Sequence, residues 1–71
     1  MPTEPVTVEK PAHPLHALAT FELRDYRRQL ETAIAYFDRQ DPVPPVRQQL
    51  QASLDAVLAE QDERARLAGG R

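Results

Sequence analysis

The chain of 71 residues contains no cysteine and no tryptophan, and its two glycines stand side by side at positions 69 and 70. Without cysteine, the chain can form neither disulfides nor thiolate metal sites, and it has no thiol nucleophile. The absence of cysteine also fits a reducing compartment, so we expect a cytoplasmic protein. A phosphate-binding loop needs several glycines within a short stretch, and this sequence has no such loop.

Long apolar runs and an excess of positive charge are lacking as well. No stretch approaches the roughly 20 apolar residues of a membrane span, and the first residues carry no secretory signal. The formal net charge is -2, with acidic and basic side chains mixed along the sequence. Domains that bind nucleic acid usually present a basic face. We therefore expect neither a membrane nor nucleic acid as a partner.

Residues that could catalyse a reaction or hold a metal ion are few. His13 and His16 are the only histidines, and Pro14 lies between them. Because a zinc site needs three or four converging ligands, this pair predicts no metal site. Ser53 is the sole serine, and a helix would place no base beside it. The sequence thus predicts no cofactor and no enzymatic activity.

Two stretches show the spacing of an amphipathic helix, and a proline-rich segment separates them. The apolar stripe of the first consists of Leu23, Tyr26, Leu30, Ala33, Ile34 and Phe37. That of the second consists of Val46, Leu50, Leu54, Val57 and Leu58, and continues through Gln61 and Ala65. We predict helices over about 21–40 and 45–68. Thr20 is the predicted N-cap of the first, and the two glycines end the second.

The remaining residues divide the chain into a tail and a domain. Residues 1–14 contain four prolines and no apolar run, which predicts a flexible tail. Residues 15–71 would form an all-α domain. The short, stiff link between its helices favours an antiparallel hairpin. In that hairpin, Arg24 and Arg28 of the first helix would lie near Glu60 and Asp55 of the second.

A hairpin of this size buries few apolar side chains. Chains below roughly 70–80 residues often need a disulfide, a metal ion or a partner chain for stability. A second copy could provide it by completing a four-helix bundle, so we predict a homodimer. The predicted dimer interface consists of Tyr36, Ala52, Ala56 and Ala59. The alternative is that these alanines are simply good helix formers on an exposed surface.

Charged helix faces are the remaining candidates for binding another protein. On the first helix they are Arg24, Arg27 and Arg28, and on the second Glu60, Asp62 and Glu63. We expect a non-enzymatic interaction module of regulatory or adaptor type, similar in outline to small helical anti-sigma factors and antitoxin-like regulators. Two alternatives remain open: a sensor of a nucleotide or other anion at the dimer interface, with Arg24 and Arg28 as ligands, and a structural subunit of a larger assembly.

Overall fold

The computed structural model describes residues 8–69, and this range holds two α-helices, one short 3-10 turn and no strand. The 3-10 turn at Leu15–Ala17 comes first, followed by helix α1, which spans Thr20–Asp38, and helix α2, which spans Val46–Gly69. The two helices pack against each other along an antiparallel hairpin. The all-helical fold is confirmed, and both helices begin and end within two residues of the predicted bounds.

The start of α1 differs from the prediction in one detail. Ala19 is the N-cap, with an extended backbone, and Thr20 is already the first helical residue. The Ala19 side chain has no oxygen to offer, but the Glu22 carboxylate accepts the Ala19 backbone N–H at 2.7 Å. Leu18 is buried in the core. The residue before the cap therefore belongs to the core, and both the N-cap and the first helical residue lie one position earlier than predicted.

The segment 39–45 joins the helices. The carbonyl oxygens of Pro44 and Pro45 accept the backbone N–H groups of Arg47 and Gln48 at 3.1 and 3.0 Å. These are among the N–H groups that a helix N-terminus leaves without an intrahelical partner. The prolines therefore stand immediately before α2, in the place where a missing backbone N–H is least costly.

The core runs along the seam between the two helices. Its buried side chains are Leu18, Leu23, Tyr26, Leu30, Ala33, Ile34, Leu54 and Val57. Most of this core comes from α1, while α2 supplies only Leu54 and Val57 and half-buried neighbours. The apolar stripes are therefore confirmed near the middle of the hairpin. Val46 departs from the prediction: it lies beside the bend, where α1 has already ended, and is 37% exposed.

The part of the proline-rich segment that the structure describes, residues 8–14, lies against the hairpin. Val8 packs against the core, and the backbone N–H of Glu9 donates to Oε1 of Gln29 at 2.8 Å. The other part of the predicted tail, residues 1–7, lies outside the described residues. Neither helix of the described chain is long and apolar enough to cross a membrane.

Candidate interaction surfaces

The outer face of α1, defined here as Phe21, Arg24 and Arg28, is exposed to solvent. Successive helical residues are about 100° apart. Phe21 lies two positions before the buried Leu23, so it points away from the core. Its side chain is 60% exposed although it is large and apolar. The structure thus places a phenyl ring on the same exposed surface as Arg24 and Arg28, two of the three arginines predicted to bind a partner.

The predicted ion pairs between the helices are wrong. Glu60 pairs with Arg64 of its own helix, with Nε and Oε2 2.9 Å apart. Asp55 accepts from Gln51 at 2.9 Å, also within α2. Within residues 8–69, neither Arg24 nor Arg28 forms an ion pair.

The helical period explains why Arg28 cannot reach α2. It lies two positions from both Tyr26 and Leu30, or about 200° around the helix from each. Both of these neighbours are buried. The Arg28 side chain therefore points to the side of α1 that is opposite the second helix.

Arg27 differs from the two arginines with which the sequence grouped it. It is half-buried, its Nε lies 2.9 Å from Oε2 of Glu31, and its Nη1 donates to Oε1 of Gln61 at 2.9 Å. The bond to Gln61 crosses from one helix to the other. Arg27 therefore helps to hold the hairpin together and does not belong to the outer face of α1.

The acidic candidates on α2 are largely neutralised by neighbours in the sequence. Glu60 is bound by Arg64, and Glu63 is bound by Arg66. Of the three, only Asp62 has no ion pair among the described residues. A carboxylate that already has a basic partner attracts a second one weakly, so this strip is the poorer candidate for docking a basic protein.

The predicted dimer interface is only partly on one surface. Ala52, Ala56 and Ala59 are all exposed, and each lies about 200° around the helix from Leu54 or Val57. Tyr36 is half-buried, and its ring packs edge-on against Phe37 with 5.1 Å between centroids. We call the three alanines the outer strip of α2. Its role in dimerisation stays a prediction.

An ion pair at the bend was missed by the sequence analysis. Nε of Arg47 lies 2.7 Å from Oδ1 of Asp38, and Nη2 donates to Oδ2 at 3.3 Å. The hydrogen bond from Arg47 lowers the pKa of Asp38 and, in turn, raises the pKa of Arg47. Asp38 is the last residue of α1 and Arg47 is the second residue of α2. Their opposite charges on the two sides of a short link were the signal that could have predicted the pair.

A cleft of about 450 Å³ opens between the start of α1 and the second half of α2. Its lining residues are Thr20, Leu23, Arg24, Arg27, Gln61, Arg64 and Ala65. The sequence analysis predicted neither this cleft nor the position of Arg64 beside the start of α1. The structure therefore gathers three arginines from two helices around one apolar floor.

Arg64 also ties the 3-10 turn to α2. Its Nη2 donates to the carbonyl oxygens of Leu15 and His16 at 3.2 and 3.4 Å.

Within residues 8–69, no three side chains of His, Asp or Glu converge as metal ligands. Comparisons with protein-family models, curated proteins and solved structures find no match to this chain.

Proposed function

We propose that this hairpin is a small regulatory or adaptor module, without enzymatic activity, that binds a protein partner through the outer face of α1. The observation that carries the proposal is the exposure of Phe21, at 60%, on the same surface as Arg24 and Arg28. Phenylalanine and arginine are both enriched in protein interfaces relative to other surfaces. A large ring left in water gains most when a partner covers it, because its apolar surface then leaves the solvent.

The charges of this face indicate the chemistry of the partner. Arg24 and Arg28 have no carboxylate partner in residues 8–69, so their guanidinium groups can donate to one from outside. Guanidinium groups bind carboxylates with two parallel hydrogen bonds. We therefore expect a partner with an acidic surface around an apolar recess that receives the Phe21 ring.

Binding measurements with single substitutions test this proposal. A protein captured with the wild-type chain from the source organism should bind Phe21→Ala about 30-fold more weakly, the effect of losing about 2 kcal/mol. Arg28→Gln should weaken binding less, and the loss should shrink as salt is added. Leu67→Ala is the matched control, since Leu67 is 71% exposed on α2. Equal affinity of Phe21→Ala and wild type would contradict the proposal.

We also infer that two copies associate through the outer strip of α2 to form a four-helix bundle. Two features support this inference: α2 buries only two side chains in its own hairpin, and small residues allow helix backbones to approach closely. This strip and the outer face of α1 lie on different helices, so a dimer would leave Phe21 free for the partner. Sedimentation at micromolar concentration should return a dimer. A folded monomer of 8.1 kDa would refute the inference.

The structural-subunit alternative predicts a different pair of results. It would give an oligomer larger than a dimer, and Phe21→Ala would change neither its size nor its stability. The same sedimentation run, repeated with this variant, therefore separates the two functions.

A further inference from the structure

We propose that the cleft at the open end of the hairpin binds a small organic anion, a monocarboxylate attached to an apolar group. This site goes beyond the proposed function, because it lies within one hairpin and needs neither the partner nor a second copy. It shares Arg24 with the outer face of α1, but neither Phe21 nor Arg28 lines it. Its volume of about 450 Å³ lies within the roughly 300–1,000 Å³ of small-ligand pockets.

The floor of the cleft suits the apolar part of such a ligand. Leu23 and Ala65 line the cleft, and their side chains are purely aliphatic. The stems of the arginines add methylene groups, since arginine keeps its charged head apart from an apolar chain. An alkyl or phenyl group seated on this floor would leave water, which favours binding in proportion to the area covered.

The walls suit the carboxylate. Arg27 uses Nε and Nη1 in its bonds to Glu31 and Gln61, and Arg64 uses Nε and Nη2 in bonds of its own. A guanidinium carries five N–H donors, so both groups keep donors for a ligand. The existing bonds hold these two guanidinium groups in place, and a pre-ordered site loses less freedom when it binds.

The charge of the cleft favours a single negative charge on the ligand. Arg24, Arg27 and Arg64 bring three positive charges, and the two carboxylates that pair with them, Glu31 and Glu60, offset two. One positive charge remains, and it belongs to Arg24. The single negative charge of a carboxylate balances it. A phosphate monoester carries a charge of about −1.5 to −2 at pH 7, so part of its negative charge would have no positive partner in the cleft.

Titration of the 71-residue protein with hexanoate, followed by amide NMR spectra, tests the proposal. The shifts should saturate and concentrate around Leu23, Gln61 and Ala65. Hexan-1-ol, which has the same tail without the charge, should bind more weakly, and inorganic phosphate alone should not saturate. No saturation by hexanoate up to about 10 mM would overturn the proposal, as would equal binding of the alcohol.

Two matched variants locate the site. Arg24→Gln should weaken hexanoate binding about tenfold, the usual effect of losing a hydrogen bond to a charged group. Arg28→Gln removes the same charge from the same helix, but on the side away from the cleft, and should leave the affinity unchanged. Equal losses in the two variants would refute the assignment. Phe21→Ala should bind hexanoate like wild type. The same variant should lose partner binding, so the two proposals can fail independently of each other.

Discussion

Replacing Leu30 by alanine should remove a large part of the stability of the hairpin. Leu30 lies at the middle of α1 and is 0% exposed. The substitution deletes three carbon atoms, which at roughly 0.8 kcal/mol per buried methylene is about 2.4 kcal/mol before any cavity is counted. Measured Leu→Ala losses in cores span about 2–5 kcal/mol. A chain of this size has a total stability of about 4–11 kcal/mol.

Leu67→Ala provides the matched control. Leu67 is 71% exposed near the end of α2, so its truncation should change stability by less than about 0.5 kcal/mol. Both substitutions replace leucine by alanine within a helix, so the change in helix propensity is the same and cancels in the comparison. Any difference between the two variants therefore measures burial.

Urea titrations followed by far-UV circular dichroism, at one protein concentration, measure both variants against wild type. Leu30→Ala should also melt at least about 10 °C lower, since each kcal/mol shifts the midpoint of a small domain by about 4–8 °C. If Leu30→Ala costs less than about 1 kcal/mol, or if Leu67→Ala costs as much, then the seam between α1 and α2 is not the core of this protein.

Three further substitutions test local features. Ala19→Ser should stabilise the protein by about 0.5–2 kcal/mol in urea titrations, because it supplies the missing half of a capping box on an exposed residue. Asp38→Asn should make the free energy of unfolding fall less steeply as the pH is lowered below about 4. Arg47 lowers the pKa of Asp38 in the folded protein. The pair therefore stabilises the fold above the unfolded pKa of about 3.9, and this stabilisation is lost as the pH falls through the lower pKa of the folded state. Arg64→Met should speed amide hydrogen exchange at Ala17 and Leu18, whose N–H groups are bonded in the 3-10 turn, because it removes the bonds from Arg64 that hold this turn against α2.

Each of these substitutions has a control of the same chemistry. Ala52→Ser places a hydroxyl inside α2, where no cap exists, and should not stabilise. Asp62→Asn removes the same charge from an exposed carboxylate that has no ion pair in residues 8–69, so it provides the control without a broken contact. Arg66→Met should leave exchange near the 3-10 turn unchanged. In each case, equal behaviour of variant and control would contradict the contact on which the prediction rests.

The sequence by itself determined the two helices and the bend. Their signals are local: apolar residues at helical spacing define each helix, and prolines break the pattern between them. It also determined that Leu23, Leu30, Leu54 and Val57 face the core, since a helix buries one stripe whatever it packs against. The exposure of Arg24 and Arg28 follows from the same period.

The tertiary structure decided which polar side chains meet from one helix to the other. Arginine and glutamate side chains are long, and each exposed pair is worth only about 0–1 kcal/mol, so several pairings have nearly equal energy from the sequence alone. The packed hairpin directs Arg47 to Asp38 across the bend and Arg27 to Gln61 across the seam. The cleft is likewise a property of the packed pair, because residues 20–27 and 61–65 form its walls only once the register of the two helices is fixed.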